Sequence, residues 1–563
     1  MRPATVSRLT MAVAALVCAL LALQPATARA ASYTKISGGG STWSSNALDQ
    51  WRRNVAANSG MTVNYSPVGS SVGREQFKNG TADFAVSEIP YGLTESGMRD
   101  APPKRGYAYM PIVAGGTAFM YNLRIGGRKV TNLRLSGEVV TKIFTGTLTM
   151  WNAPEIRADN PGLVLPARRI IPVVRSDGSG TTAQLTTWLA KEHSGLWDAY
   201  CRRAGRSTPC GMTSYFPVVP GSSTIAKSGS LGVSGYTKQG HAEGAITYVE
   251  YSYAIKTGFP VAKVLNASGY YVEPTASSVA VALMKARINE DKNSENYLTQ
   301  ILDGVYRSAD RRTYPLSSYS YMIVPTEAES PFTTAKGKTL GSFANYFLCE
   351  GQQQAEELGY SPLPKNLVEA GFTQVRRIPG APSADIDIKS CRNPTFSSDG
   401  SNTLARNAPY PKACDKRGTT QCADGTAGAK QQTRVNSGAD GGGSGGGTGG
   451  TGGTGAAGGK GGAGTAVASG GSTGTDGASG AATGGGAASG AVDPDTGEPI
   501  EGSAGGGDAS VVGNPVTLAA GGSPGLRGVL MALSAVLLLG VVVGPPLTAR
   551  ALAARNRRKE GPR

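Results

Sequence analysis

The run Ile170-Ile171-Pro172-Val173-Val174 has the length and apolar character of a buried strand. Ala183 to Lys191 carries Leu185, Trp188 and Leu189 at helical spacing. The residues between them, Arg175-Ser176-Asp177-Gly178-Ser179-Gly180-Thr181-Thr182, therefore form a strand-to-helix turn. Such a turn leaves backbone N–H groups free at the positive end of the helix dipole. Gly178 and Gly180 let a ligand approach the main chain, and the Ser179 and Thr181 hydroxyls add donors. Arg175 adds a planar, two-pronged cation. A tetrahedral oxyanion matches that donor set. Taken alone, the stretch also reads as an ordinary glycine turn with a capped helix behind it.

Two further stretches are of the same kind. Ser37 to Trp43 precedes a helix expected over Ser44 to Ala57, with Leu48 and Trp51 inward. Val68 to Gly73 follows a strand around Val63 to Tyr65 and precedes a short helix through Gln76 and Phe77. Three helix starts rich in hydroxyls can converge on one anion. Apolar runs at Met61 to Tyr65, Ala82 to Val86, Thr117 to Asn122, Ile170 to Val174 and Ala245 to Tyr248 alternate with helical patterns. That alternation predicts an α/β fold with a mainly parallel sheet. Globular composition runs from Ser32 to about Gly380, long enough for two lobes.

Both termini read as targeting segments. Residues 1–30 have a basic start at Arg2 and Arg8, an apolar run from Met11 to Leu23 and the small-residue site Ala28-Arg29-Ala30, the pattern of a secretory signal. From about Ala423 to residue 525 Gly, Ala, Ser and Thr dominate, so a flexible linker is expected, following a Cys-containing irregular extension over 381–422. Gly528 to Leu547 is apolar and uncharged, the length of a membrane-spanning helix. The tail 548–563, with Arg550, Arg555, Arg557, Arg558 and Lys559, is then cytoplasmic. The expected topology is a globular domain outside the cell, held to the membrane by a single C-terminal span.

Cys18 falls in the signal, leaving Cys201, Cys210, Cys349, Cys391, Cys414 and Cys422. An even set in an exported chain suggests disulfides. Cys201–Cys210 and Cys414–Cys422 are close in sequence, which leaves Cys349–Cys391, although other pairings stay open. The net charge of +16 is inflated by the signal and the tail. With no basic stripe interleaved with aromatics, nucleic acid is not an expected partner. No metal or cofactor is expected, as the chain has no C-x-x-C and two histidines. Gly178-Ser179-Gly180 is not a hydrolase elbow, and Gly221 to Ser228 lacks the second glycine of a P-loop.

In their order and combination the motifs resemble those of the phosphate-binding proteins that serve phosphate ABC transporters. The family's G-A-G-A-T-F appears as Gly38-Gly39-Gly40-Ser41-Thr42-Trp43, and N-Y-x-x-x-G-S-x-x-G as Asn64 to Gly73. V-D-F-x-x-S-D becomes Ala82 to Glu88, and R-x-D-G-S-G-T is Arg175 to Thr181 without a gap. Softer matches are Trp151-Asn152, Ile246 to Tyr251 and Tyr314-Pro315-Leu316. The resemblance covers about Tyr33 to Phe372 and implies a two-lobed periplasmic-binding-protein fold. Lobe one would be 32–116 and 323–380, lobe two 117–322, with hinge crossings near Gly116 and Ile323. Carried over, the phosphate contacts are Thr42, Trp43 (through its backbone N–H), Ser70, Glu88, Arg175, Ser179, Gly180 and Thr181, with Asp177 supporting Arg175. Glu88 departs from the family's aspartate. The implied job is capture of inorganic phosphate for an ABC permease in the same membrane, without catalysis. A tethered oxyanion sensor and a secreted phosphatase are the alternatives.

Overall fold

The computed structural model describes residues 33–436 apart from 96–97, 295, 383–387, 389–390, 398 and 400. The expected signal, the membrane span 528–547, the tail 548–563 and nearly all of the linker lie outside the described residues. Among the described residues, no helix is long and apolar enough to cross a membrane.

Nine strands of three or more residues build the main sheet: β1 (Ile36–Gly40), β2 (Val63–Ser66), β3 (Phe84–Ser87), β4 (Tyr107–Tyr121), β5 (Ile171–Arg175), β6 (Ile225–Lys227), β7 (Ala245–Glu250), β8 (Val261–Leu265) and β9 (Ser317–Pro325). The order is β6-β5-β7-β4-β9-β3-β1-β2, with β8 branching from β4. All five apolar runs singled out in the sequence fall in these strands. The parallel pairing expected is found within each end, β2, β1 and β3 at one and β6, β5 and β7 at the other, and where β8 meets Arg134–Leu135. Between them β4 and β9 run antiparallel to each other and to their neighbours, so the sheet is mixed.

These two central strands are the crossings. β4 pairs with β9 from Tyr107↔Pro325 to Gly116↔Ser317, and then hands its last residues, Thr117 to Tyr121, to β7. β9 pairs with β3 at Tyr321 to Ile323. Ile323 thus lies inside lobe one, and the return crossing falls earlier than expected, at Ser317 to Ser320. The register of β4 and β9 shifts between Ser320 and Tyr321, opposite Pro111, which has no N–H to give.

Helices follow the strands at the ends that face the seam between the lobes: α1 (Ser45–Ser59), α2 (Ser70–Lys78), α3 (Gly180–Glu192) and α4 (Gly229–Thr237). Leu48, Trp51, Leu185, Trp188 and Leu189 are buried, as their spacing predicts. α3 starts at Gly180, ahead of the expected Ala183, because Ser179 caps it by accepting the Thr182 N–H at 3.2 Å. Close packing of α2 on β1 needs glycine: a Cβ on Gly73 would lie 2.6 Å from the Gly39 carbonyl oxygen. That approach is what delivers Ser70 to the seam.

The three disulfides are Cys201–Cys210, Cys349–Cys391 and Cys414–Cys422. The expected linker boundary at 423 is wrong. Residues 423–436 pack on lobe two as part of the folded domain. Thr426 is 0% exposed; its N–H donates to the Thr131 carbonyl at 3.0 Å, and its hydroxyl accepts the Val261 N–H at 3.0 Å. The Ala427 N–H donates to Glu273 at 2.7 Å, and the Asn436 N–H to the Gly162 carbonyl at 2.9 Å. Arg134, buried by this strap, donates to the Cys414 and Thr419 carbonyls. Small residues here serve close contact: a Cβ on Gly428 would lie 2.6 Å from Gly258 Cα. A chain spanning 33–436 is therefore expected to fold. One ending at 422 strands the buried Val261 N–H and loses about 2–4 kcal/mol. Urea melts of the two chains check this, and equal midpoints would return 423–436 to the linker.

Candidate functional site

Four helix starts meet at the seam, one more than expected. The fourth is α4, which follows β6 through Ser228-Gly229-Ser230, a small-residue turn of the same kind as the other three. The lobes touch across the seam. The Ser71 N–H donates to the Gly178 carbonyl at 3.1 Å, and the Gly180 N–H to Ser70 Oγ at 3.2 Å. Asn46 Nδ2 donates to Ser252 Oγ at 2.8 Å. Gly69, at φ +92°, takes a conformation only glycine adopts freely, and a Cβ there would lie 2.8 Å from Asp177 Oδ2.

Two buried charges face each other here. Arg175 is 2% exposed. Its Nε donates to Asp177 Oδ1 at 2.7 Å and its Nη2 to Asp177 Oδ2, while Nη1 reaches toward Ser230 Oγ at 3.4 Å. Asp177 also accepts the Gly229 N–H at 2.9 Å. Burial pushes the Asp177 carboxyl up, but the Arg175 guanidinium and the Gly229 N–H outweigh it and hold the group below its ordinary range. One edge of the Arg175 fork is thus spent on Asp177 and the other is turned to the seam.

Glu88, at the end of β3, is 1% exposed. Ser41 Oγ donates to both of its oxygens at 2.8 Å, Ser70 Oγ to Oε2 at 3.1 Å, and Ser320 Oγ to Oε1. Burial raises its pKa above the ordinary value, against the three hydroxyls and the Arg175 charge. A Cβ on Gly180 would collide with Glu88 Oε2, so only glycine lets α3 start this close to the carboxylate.

The residues singled out in the sequence thus share one neighbourhood. Ser70, Glu88 and Gly180 are in mutual contact, Asp177 holds Arg175, and Ser179 caps α3. Thr42 joins through Ser230, with the two hydroxyl oxygens 2.8 Å apart. Thr181 Oγ1 is buried without a hydrogen-bond partner among the described residues. The Trp43 N–H, expected to reach phosphate, donates to Ser41 Oγ at 3.0 Å. Ser41, Ser230 and Ser320 went unnoticed in the sequence. Ser230 sits at a helix start that the same turn rule would have found. Ser320 lies mid-strand in Ser-Tyr-Ser-Tyr, with no local signal.

Beneath the site, Glu250 ends β7 with a fully buried carboxylate. One oxygen accepts the Ser252 N–H at 2.8 Å, while Oε1 has no partner among the described residues. Burial raises its pKa well above the ordinary 4.5. A raised folded-state pKa favours folding at pH below 4.5, and that contribution is lost as pH climbs toward the folded value. Glu250→Gln, which keeps the acceptor for Ser252, should therefore gain on the wild type as pH rises from about 4.5, reaching about 1–3 kcal/mol at pH 7. Paired thermal melts across that range check it. A constant difference would mean that Glu250 does not titrate there.

A two-lobed fold hinged on two crossing strands, with buried charges at the seam, defines a binding protein that closes on a small ligand. The family model described as PBP superfamily domain matches residues 25–350. Phosphate-binding protein PstS of Xylella fastidiosa is 31% identical over 345 residues, 61% of this chain and 86% of its own length. Phosphate-binding protein PstS 2 of Mycobacterium tuberculosis is 30% identical over 332 residues, 58% and 82% of the two chains. A crystal structure of a phosphate-binding protein from Stenotrophomonas maltophilia is 18% identical over 66% of this chain and 99% of its own, with a TM-score of 0.44. The chain belongs to the phosphate-binding protein family within the PBP superfamily.

Proposed function

We propose that the protein binds inorganic phosphate in the seam between its lobes and delivers it to an ABC permease in the same membrane. The observation that carries this reading is the pairing of opposite buried groups at one point: the open edge of Arg175, and the Glu88 carboxylate held by hydroxyls. Arg175 Nη1, the Thr181 hydroxyl and N–H, and the Ser179 hydroxyl donate to anionic oxygens at the start of α3. Glu88 accepts, and only an anion that carries a proton can satisfy it. Phosphate at neutral pH has such a proton and sulfate has none, so sulfate would set lone pairs against a buried carboxylate.

Thr42 contributes its hydroxyl, shared with Ser230, and Ser70 bridges Glu88 to the Gly180 N–H. Closure by hinge motion about β4 and β9 buries the ion. On this reading the protein acts as a carrier and not as a phosphatase. The Glu88 carboxylate beside these hydroxyls serves as an acceptor for the bound anion, and His193 follows the far end of α3, about 20 Å from its start, with its ring in edge contact with Trp188. We read the signal, linker and span of the sequence as holding the domain outside the cell on a tether. The last described residue, Asn436, lies on lobe two beside Gly162.

Arg175→Ala is expected to cost about 2–4 kcal/mol of phosphate binding, with Lys restoring only part because it lacks the fork. Isothermal titration measures both, and unchanged affinity in the alanine variant removes Arg175 from the site. Glu88→Gln, which can donate, is expected to admit sulfate and narrow the preference for phosphate. Equal phosphate-to-sulfate ratios in wild type and variant would refute the acceptor role.

A further inference from the structure

The hydroxyls around Glu88 form a directed chain. The Trp43 N–H donates to Ser41 Oγ, and Ser41 in turn donates its one proton to the carboxylate, shared between both oxygens at 2.8 Å. From the opposite side Ser320, on the hinge strand at the register shift, donates to Oε1. The next residue, Tyr321, donates its phenol to the Glu88 carbonyl at 3.1 Å, and Gln184 of lobe two donates to the same carbonyl at 3.1 Å. The Glu88 side chain and main chain are thus both gripped from β9. A carboxylate offers about four lone-pair directions. Ser320 and Ser41 reach Oε1, and Ser70 and Ser41 reach Oε2, with Ser41 sharing its single proton between the two oxygens, so three protons serve four directions and the carboxylate keeps capacity to accept one more. The arrangement links the Trp43 N–H, through Ser41, to the carboxylate.

We propose that Ser41 and Ser320 are positioning residues that aim the Glu88 carboxylate into the site and keep it an acceptor, so that together they set the selectivity among oxyanions. The proposal rests on the phosphate reading above. A glutamate can swing where a shorter acid cannot, and two hydroxyls from different elements remove that freedom. They also supply the hydrogen bonds that keep a desolvated carboxylate charged. The other titratable groups facing it are Arg175 from lobe two and the buried phenols of Tyr65 and Tyr321. Without the serines, Glu88 takes up a proton more readily, becomes a donor, and no longer rejects an anion that lacks a proton.

The test is titration of wild type, Ser41→Ala, Ser320→Ala, Glu88→Asp and the double variant Ser41→Ala/Glu88→Asp with phosphate and with sulfate, from pH 5 to 8.5. Each serine variant is expected to lower the phosphate-to-sulfate ratio about tenfold, the size of one hydrogen bond to a charged group. The loss should be larger at the acidic end, a pH trend that mere loosening of the fold would not produce. Aspartate withdraws the carboxylate from Ser41 by one methylene, so Ser41→Ala should change nothing further in that background. Wild-type ratios in both serine variants, or effects that simply add in the double variant, overturn the proposal while leaving phosphate binding intact. A wild type that takes up neither anion overturns the phosphate reading and this proposal with it.

Discussion

A guanidinium and a carboxylate, both out of water, face one another across the seam between the lobes, and much of the surrounding structure follows from keeping each of them charged. A buried ion without partners is far too costly to persist. Arg175 is therefore tied to Asp177, and Asp177 to the Gly229 N–H at the start of another helix. Glu88 is tied to serines from β9 and from the starts of α1 and α2. The glycines at 69 and 180 leave room for these partners to meet. The polar, small-residue character of the seam is the consequence of two charges that must stay solvated by protein.

The hinge and the site share atoms. β4 and β9 carry the chain between the lobes, and the residues at the shift in their register, Ser320 and Tyr321, hold Glu88 by side chain and main chain. A change of hinge geometry is thus felt at the acceptor directly. Glu250, Trp43 and Gly115 crowd together below: a Cβ on Gly115 would lie 2.8 Å from the Trp43 ring and 3.1 Å from Glu250 Oε1. The main chain of the hinge strand is closely packed on that side, with no room for a side chain at 115.

The strap over 423–436 shows how composition misleads. A run of Gly, Ala and Thr cannot form a core of its own, and that argument predicts a linker. It does not forbid such residues from lying against an existing core, where their lack of bulk allows backbone to approach backbone. Thr426 and Gly428 sit in that position, against Val261 and Gly258.

The strands, the helix starts and most of the site were legible in the sequence, since each depends on neighbours a few residues away. Apolar runs marked the strands, and hydroxyls with glycines marked three helix starts. Arg175 to Thr181 carried a donor set whose chemistry is local. The tertiary structure decided the rest, because the rest depends on residues far apart in the chain. It placed Ser320 at Glu88 across 232 positions of sequence, which no local pattern encodes. It set the Ser41 hydroxyl between the Trp43 N–H and the Glu88 carboxylate, an outcome of where one hydroxyl falls in space. It moved the return crossing from Ile323 to Ser317–Ser320, because strand pairing and not strand composition defines a hinge. It folded 423–436 onto lobe two, because a small residue's role is set by what stands opposite it.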